Sequence, residues 1–482
     1  MRLRKSTLNS FAWSFFQQVS NQSINFIVQI LLARFLLPED FGTIAIIQIF
    51  LNISQTLIDS GMTASLIRNS EVDDSDYSTV FYMNLIFSVV LYVLLFTISP
   101  FISEMFHNPE IEDILKVMSL VLVIQTLTSV QITRLTKELN FKLQTMLQLP
   151  SVLVGGVVGI ILAINGYGVW SIVYMNIVRL LILSLTYGMK LRWTPIGHIN
   201  IQRFKFHFSF SYKLTLSNLF TTAYNQIYTF LIARFFTSYQ LGLYTQGNNL
   251  AKFPVTNLTS VLLKVTFPVF AKKTTDDHLK KSFKRVTHIV VATVAPLMIV
   301  LVVIAEPLFS LLLSDKWNES VIIFQILCAF FVLQPINAYY INVLLVKGRS
   351  DLHLKSEVIK KTIGTLFLLL IIPFGLMGAV IAQGVTIFIG LFVNSFFCSR
   401  VLNYPMIDQL KDIIPPIFLS AISAALCYVV VQMIFVVSNL YLQVSLNLVL
   451  FFCVYVGMAR KLQLNAIREI TIVFKDFIKG MR

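Results

Sequence analysis

The amino-acid sequence predicts an all-α integral membrane protein that contains a duplicated bundle of transmembrane helices. Of its 482 residues, 56% are hydrophobic and 13% are charged, and the mean hydropathy is +0.77. A soluble domain carries about 25% charged residues. Long apolar segments recur along the whole chain, and a short motif near the end of the first one returns in the second half. These observations together indicate the fold class.

The repeated motif predicts two related lobes. Leu31–Phe35 and Gly42 return as Leu231–Phe235 and Gly242, 200 positions later in each case. Both copies close a long apolar segment that begins with polar residues, which is typical of a repeated bundle of membrane helices. We therefore expect the second half of the chain to copy the helix arrangement of the first.

Apolar segments of about 20 residues, the length that crosses a bilayer, occur at about fourteen positions, six in each lobe and two after them. They lie at 10–36, 43–67, 78–103, 114–133, 147–165 and 168–189, then at 208–236, 240–266, 286–313, 320–346, 358–375 and 377–399, and finally at 414–437 and 440–458. We expect lobes at 1–200 and 201–400, and two further helices with a basic tail at 401–482. Because each lobe has an even number of spans, both lobes enter the membrane in the same direction, and their interface lies at the centre.

The basic residues predict the orientation. With a cytoplasmic N-terminus, the connections at 134–142, 190–205, 272–285 and 347–355 are cytoplasmic and hold most lysines and arginines, as the positive-inside rule requires. The C-terminus is then cytoplasmic too. Most of the net charge of +15 then lies on the cytoplasmic side, where it faces anionic phospholipids. This placement argues against a nucleic-acid partner. Four acidic residues on one cytoplasmic connection are an exception, although acidic residues count little in this rule: Glu71, Asp73, Asp74 and Asp76.

The tail from residue 459 onward combines apolar residues at helical spacing with lysines and arginines. This pattern predicts an amphipathic helix in the headgroup region. Packing of the tail on the protein's own helices explains the pattern equally well.

Polar residues interrupt matching helices of the two lobes. In spans 1 and 7 the polar residues are spaced three, one and three positions apart, which puts each of these two sets on one helix face. Span 1 contains Gln18, Asn21, Gln22 and Asn25, span 7 contains Asn218, Thr221, Thr222 and Asn225, span 2 contains Gln48, Asn52, Gln55 and Asp59, and span 8 contains Gln246, Asn248, Asn249 and Lys252. A wet cavity explains these stripes, and so do interhelical hydrogen bonds, which contribute roughly 0.6 kcal/mol each.

Several charged residues lie inside apolar segments. Arg179 and Lys252 fall near the middle of their spans, where an ionised side chain costs at least about 2.5 kcal/mol, so we expect them to face a cavity. Arg34 and Arg234 occupy the outer ends of spans 1 and 7, where they either guard a mouth or hold the adjacent turn in place. Asp59 is either a proton- or cation-coupling group or a partner for an arginine.

The sequence contains no signature of an enzyme. No GxxxxGK[ST] motif is present, no pair of histidines has metal-ligand spacing, and the four cysteines are isolated in apolar runs without a CxxC pair. We expect no ATP hydrolysis, no cofactor and no metal.

A set of motifs resembles a known family. The motifs are Leu32–Gly42, Asp59–Gly61, Gly166–Trp170, Leu241–Tyr244, Phe267–Val269 and Lys316–Trp317. They resemble those of Wzx-type polysaccharide flippases, in the polysaccharide transporter branch of the MOP superfamily, whose relatives are the MATE drug exporters and the lipid II flippases. The resemblance implies two six-helix lobes around a central cavity plus two C-terminal helices.

The resemblance also implies a substrate and a mechanism. Such proteins carry polyprenyl-diphosphate-linked oligosaccharides from the inner to the outer leaflet of the cytoplasmic membrane by alternating access, without ATP. The products are surface polysaccharides such as lipopolysaccharide O-antigen, capsule, exopolysaccharide or teichuronic acid. Candidate partners, besides the lipid-linked substrate and anionic phospholipids, are a polysaccharide polymerase and a chain-length regulator.

A diphosphate requires fixed cations, and sugars require amide partners. We expect the site to combine a diphosphate clamp of Arg179 and Lys252, a mouth at Arg34 and Arg234, and sugar contacts from Asn25, Asn225, Gln22, Asn52 and Asn249. An exporter of organic cations of the MATE type would use the same architecture but would favour carboxylates in the cavity. A scaffold for glycan assembly is a third interpretation, although a scaffold has no need of duplicated polar stripes.

Overall fold

The computed structural model is helical almost throughout. It describes residues 2–59, 61–197, 199–271, 276–433 and 439–462, and within these ranges it contains no β-strand. The predicted helix in the tail lies outside them. The first eight helices are α1 (Arg2–Phe35), α2 (Pro38–Asp59), α3 (Met62–Arg68), α4 (Asp74–Met105), α5 (Glu110–Met118), α6 (Leu120–Lys137), α7 (Phe141–Ile164) and α8 (Trp170–Leu191).

The following helices are α9 (Ile201–Asn225), α10 (Ile227–Phe235), α11 (Ser238–Ala271), α12 (Asp276–Val303), α13 (Ala305–Leu312), α14 (Asn318–Phe331), α15 (Gln334–Val346), α16 (Ser350–Ile371), α17 (Leu376–Leu402), α18 (Met406–Met433) and α19 (Leu440–Lys461). Short 3-10 turns at Asp315–Trp317 and Ile372–Phe374 precede α14 and α17.

Ten helical stretches of the described chain are long and apolar enough to cross a membrane. They coincide with predicted spans 2 to 6, 9, 10 and 12 to 14. The other four predicted spans are also helical and correspond to α1, α9 with α10, α11 and α16. These helices are less apolar, because the first three carry the polar stripes and α16 contains Glu357, Lys360 and Lys361. The protein is therefore a multi-pass membrane protein of the predicted class, whereas the count of fourteen stays a prediction.

The chain forms two compact units, residues 1–242 and residues 243–482, and each is described by itself. The lobe bounds expected from the repeat, at residues 200 and 400, divide the chain by sequence similarity rather than by compactness. They stay a prediction.

In the first unit, α7 packs closely against α1 and α8 through glycines. A Cβ atom on Gly155 would lie 2.7 Å from the Cβ of Arg179 in α8, and one on Gly156 would lie 2.7 Å from Cγ2 of Val28 in α1. Gly159, four positions after Gly155, also faces α8. Small residues at this spacing let the backbones of α7 and α8 approach closely, as is common between membrane helices. This packing fixes the position of Arg179 on α8.

The acidic connection that departs from the charge rule is neutralised by basic residues of neighbouring helices. Arg203 of α9 pairs with Asp76 at 2.6 Å and with both carboxylate oxygens of Asp73 at 2.6 and 2.8 Å. The hydrogen bond to Asp76 raises the pKa of the Arg203 guanidinium. His207 is completely buried, with Nε2 3.1 Å from Asp76 Oδ1 and Nδ1 2.8 Å from Ser65 Oγ. This network ties α3, α4 and α9 together.

In the second unit, the two last helices pack on α12. Their shared core contains Val300, Leu419 and Phe451, and the Tyr455 hydroxyl donates a hydrogen bond to the carbonyl of Ala292 at 3.1 Å. At the predicted cytoplasmic ends, Asp412 of α18 lies 3.0 Å from His288 Nε2 and 3.1 Å from Lys284 Nζ of α12, and it also accepts from the Tyr404 hydroxyl. These contacts together hold the C-terminal helix pair to α12.

The ion-pair network of α9 predicts a stability effect. We expect Arg203→Ala to lower the midpoint of thermal unfolding by roughly 2 °C, because it leaves the buried Asp76 carboxylate with His207 as its side-chain partner. Lys205→Ala is the matched control, since this exposed residue of the same helix has no ion pair within the described residues. Equal midpoints for the two variants, measured by intrinsic fluorescence in detergent, would contradict the structural role of Arg203.

Candidate substrate path

The two copies of the repeated motif meet at a reciprocal glycine contact in the first unit. A Cβ on Gly42 would lie 1.8 Å from the carbonyl oxygen of Ser238, and a Cβ on Gly242 would lie 1.8 Å from the carbonyl oxygen of Pro38. Neither position tolerates a side chain without movement of the partner backbone. The N-terminal turns of α2 and α11 therefore touch backbone to backbone, in the same way from both sides.

The side chain of Asn108 joins this junction. Its Nδ2 donates to Thr43 Oγ1 at 3.0 Å and to Ser238 Oγ at 3.2 Å, so one amide bonds to both helices near their N-termini. The sequence pattern did not indicate Asn108, because it lies between spans rather than on a polar stripe.

Arg34 and Arg234 flank the junction. They lie in the last turns of α1 and α10, and each stands four residues before the helix that forms the contact. Both side chains are exposed. The neighbouring turn is closed by Asp40, whose carboxylate accepts the Leu37 N–H at 2.8 Å. The structure thus places both arginines at one end of this unit, as the repeat predicts.

Polar faces of α2 and α9 adjoin each other. The hydroxyls of Thr56 and Thr222 lie 3.1 Å apart, and Asn52 stands one turn before Thr56 on α2. Asn225 lies three residues beyond Thr222 and is exposed. The stripes predicted for spans 2 and 7 therefore form one polar seam.

Asp59 ends α2 at the edge of this seam. Its exposed carboxylate accepts a hydrogen bond from Gln55 Nε2 at 3.0 Å. The chain then bends at Gly61, whose left-handed φ of 66° and close approach to the Ser211 carbonyl, 3.1 Å from an added Cβ, require glycine. The bend directs α3 along α9.

The polar residues of span 1 differ in their surroundings, since Asn21 bonds to a neighbouring helix whereas Asn25 is exposed. Asn21 Nδ2 and Gln17 Nε2 both donate to Oε1 of Gln148 in α7, at 3.2 and 2.7 Å. Asn21 therefore serves helix packing, the alternative to a cavity. Gln22 is partly buried and Asn25 is exposed. Gln148 was missed, although an amide inside predicted span 5 was a usable signal.

Arg179 is a cation near the middle of the apolar helix α8. Its side chain is partly buried on α8, and its Nε atom has no hydrogen-bond partner within the described residues. No carboxylate pairs with it in that part of the chain. A partly buried guanidinium of this kind has the charge and the donors that suit an anion.

The stripe of α11, in the second unit, is also divided. Tyr244 donates to Gln383 Oε1 at 2.9 Å, and Gln383 Nε2 donates to Asn248 Oδ1 at 3.1 Å, so that Asn248 serves packing against α17. Asn249 is exposed and Lys252, one turn further, is partly buried. The Lys252 ammonium has neither a hydrogen bond nor an ion pair with any residue that the structure describes.

A second polar cluster of this unit was missed from sequence. Lys360 Nζ lies 2.5 Å from Glu357 Oε1, and nearby Asn394 bonds to Ser356 at 2.5 Å and to Asn337 at 2.9 Å. Lys360 lies within predicted span 11, yet it differs from Lys252 because a carboxylate one turn away neutralises it. This cluster joins α15, α16 and α17.

A family model for polysaccharide biosynthesis proteins matches residues 31–322, which is more than half of the chain. The chain belongs to the polysaccharide biosynthesis protein family. The resemblance that its motifs carry is confirmed.

This family member is 24% identical to the lipopolysaccharide biosynthesis protein WzxC of Escherichia coli (strain K12) over 412 residues, which cover 84% of this chain and 81% of WzxC. It is 25% identical to the succinoglycan biosynthesis transport protein ExoT of Rhizobium meliloti (strain 1021) over 315 residues, 65% of this chain and 64% of ExoT. Among solved structures it is similar to the lipid II flippase MurJ in an inward closed conformation, with a TM-score of 0.70 at 14% identity over 94% of this chain and 99% of MurJ. The likeness to MurJ shows the predicted fold, and the chain is a transport protein rather than an enzyme.

The glycine contact generates a prediction on packing. We expect Gly42→Ala and Gly242→Ala each to destabilise the protein by about 1–3 kcal/mol, the usual cost of overpacking, because each new methyl group meets a backbone oxygen. Gly188→Ala is the control, since a Cβ there meets nothing within 4 Å in the helix α8. The measurement is the thermal unfolding midpoint of each purified variant. If both junction variants have the same unfolding midpoint as Gly188→Ala, the glycine contact does not constrain the fold.

Proposed function

We propose that this protein moves polyprenyl-diphosphate-linked oligosaccharides from the inner to the outer leaflet of the cytoplasmic membrane, for the biosynthesis of a surface polysaccharide. Transport proceeds by alternating access and needs no ATP. Membership of the polysaccharide biosynthesis family, the likeness to WzxC and ExoT and the fold shared with MurJ support this function. The observation that carries it is that two cations inside apolar helices, Arg179 and Lys252, have no ion-pair partner among the described residues.

These cations suit a diphosphate. An ionised side chain in an apolar helix costs at least about 2.5 kcal/mol. The carboxylate of Glu357 offsets this cost for Lys360. Among the described residues, no carboxylate does so for Arg179 or Lys252. A substrate that supplies two phosphate charges removes this penalty when it binds. Arginine binds phosphate oxygens through parallel N–H donors, and lysine binds them as a point charge.

The sugar end requires groups that donate and accept hydrogen bonds. Amides do both, and a glycan with many hydroxyls needs many of them. In this proposal, Asn25, Gln22, Asn52 and Asn225 contact sugars from the first unit and Asn249 from the second. Asn21 and Asn248 are already bonded to Gln148 and Gln383 and are left out of this set.

The ends of the path have separate roles. Arg34 and Arg234 beside the glycine junction attract the diphosphate to the outer mouth. Asp59, on the polar seam, exchanges a proton or a cation that drives the cycle. The prenyl chain stays in the lipid, since no polar group is needed to hold it.

The expected surroundings follow from the charge distribution. The N- and C-termini face the cytoplasm, where the basic connections contact anionic phospholipids. A polysaccharide polymerase and a chain-length regulator are the partners that would receive the product on the other side. An exporter of organic cations is the alternative, and it would need carboxylates where this chain has Arg179 and Lys252.

Transport can be tested in liposomes without nucleotide. We expect Lys252→Ala and Arg179→Ala to lower the initial rate at which a polyprenyl-diphosphate oligosaccharide reaches the opposite leaflet by about 10-fold or more, since a charge-assisted hydrogen bond contributes about 1.5–3 kcal/mol. Lys252→Arg and Arg179→Lys keep the charge and should retain part of the rate. Protection of the sugar from an added lectin measures the leaflet.

The controls separate charge from general damage. Lys190→Ala removes an exposed cation of the same helix as Arg179, and Lys205→Ala removes one from α9, so both should transport at the wild-type rate. Wild-type rates in Lys252→Ala and Arg179→Ala would exclude these residues from the path. Uptake of ethidium in place of the glycan would assign the protein to the exporters.

Orientation is tested separately with single cysteines. In a background with Cys453→Ser, the remaining native cysteines are buried. A membrane-impermeant maleimide should modify Glu110→Cys in intact cells, and Lys205→Cys only after permeabilisation, because the two exposed positions lie on opposite predicted sides. The reverse pattern would place both termini outside.

A further inference from the structure

A polar cleft lies in the second unit, and Lys252 is not among its lining residues. It consists of two cavities of about 370 and 510 Å³ that share Glu306 and Gln325 as lining residues. Helices α12, α13, α14, α18 and α19 surround it, and all of them belong to residues 243–482. Each cavity falls within the size range of ligand sites, about 300–1,000 Å³.

The fold holds the walls of the cleft in place. The chain turns after α12 and starts the short helix α13, which puts Glu306 in its first turn. Gln325 of α14 donates to the carbonyl of Val302 at 3.0 Å and so fixes α14 to the end of α12. The core between α12, α18 and α19 sets the opposite wall. The cleft lies at the predicted outer end of these helices, opposite to Asp412.

One buried side chain of the cleft offers an acceptor to a ligand. Asn447 lines the cleft and is only 3% exposed. Its Nδ2 donates to the carbonyl of Gln443, whereas its Oδ1 has no hydrogen-bond partner within the described residues. An unpaired buried acceptor costs roughly 1–3 kcal/mol. A donor from a bound molecule or from an ordered water would remove that penalty.

The chemistry of the lining selects the ligand. Among the described residues, Glu306 is the only charged one that lines either cavity, and no lysine or arginine does so. A diphosphate would therefore be repelled. Glu306, Gln325, Gln443 and Asn447 offer acceptors and donors for hydroxyl groups, and Tyr428, which is 55% exposed, offers a ring for the apolar face of a sugar.

We infer that this cleft is a glycan-binding site for neutral or amino sugars, formed by Glu306, Gln325, Tyr428, Gln443 and Asn447. The choice of a glycan as ligand rests on the proposed function. The site would hold the sugar end of the lipid-linked product on the outer side of the membrane, while the diphosphate end stays with cations elsewhere.

Binding is measured with soluble probes, so that it does not depend on transport. Saturation-transfer NMR on the full-length protein in nanodiscs should detect N,N′-diacetylchitobiose, methyl glucoside or galactosamine at millimolar concentration, a weak affinity of about −4 kcal/mol. Glu306→Gln and Tyr428→Ala should each raise the Kd at least about fivefold, a change of about 1 kcal/mol. Tyr441→Ala, at the same end of α19 but outside the lining, should leave it unchanged; Tyr441 is 74% exposed.

A second readout locates the bound sugar. In the Cys453→Ser background, the best of these sugars should slow maleimide modification of Ser310→Cys in the cleft and leave Tyr441→Cys unaffected. Glucose 1-phosphate should give no protection, because its phosphate faces Glu306. Absence of binding by all of the sugars, unchanged affinity in both cleft variants, or equal protection by the phosphate would each overturn the site. Loss of glycan transport in wild-type liposomes with intact sugar binding would instead refute the proposed function alone.

Discussion

The backbone contact of α2 with α11 at Gly42 and Gly242 is the constraint on which the rest of the first unit depends. In a bilayer, lipid is as apolar as leucine, so helices associate through close packing rather than through burial of apolar surface. Small residues supply that packing here, at the junction and again at Gly155 and Gly156 on α7. Because backbones touch at these points, rotation of the helices is fixed. The direction of each polar side chain then follows from the helix that carries it.

This packing sorts the polar residues into two classes. Asn21 donates to Gln148 and Asn248 accepts from Gln383, each between two helices, and Lys360 is neutralised by Glu357. These residues stabilise the bundle. Arg179 and Lys252 belong to the other class, since nothing in the described chain balances their charge. In the proposed function, a polar group that already has a partner in the described chain is structural, and one that has none is left to bind the substrate.

Periodicity and hydropathy were sufficient for the fold class, the repeat and the ten apolar spans, because these depend on local sequence. The same patterns place Asn21 and Asn25 on one helix face. They do not indicate which helix packs against that face, because Gln148 is 127 residues away from Asn21 in the sequence. His207 was missed for a similar reason. It lies next to a predicted loop, yet it is fully buried against Asp76, which is 131 residues distant. The candidate site residues therefore stay predictions of position and charge, not of contacts.

Charge also explains why a single substrate would need more than one site. A lipid-linked glycan is anionic at the diphosphate and neutral along most of its sugar chain. Cations such as Arg179 and Lys252 attract only the first part, and they gain nothing from hydroxyl groups that water solvates equally well. The cleft around Glu306 has the opposite character, with one carboxylate, several amides and an exposed tyrosine. If surfaces of opposite charge bind the two ends of the substrate, neither surface can hold the whole molecule. One end can then be released while the other end stays bound. Under the proposed function, this division would avoid the tight retention of product that halts a transporter.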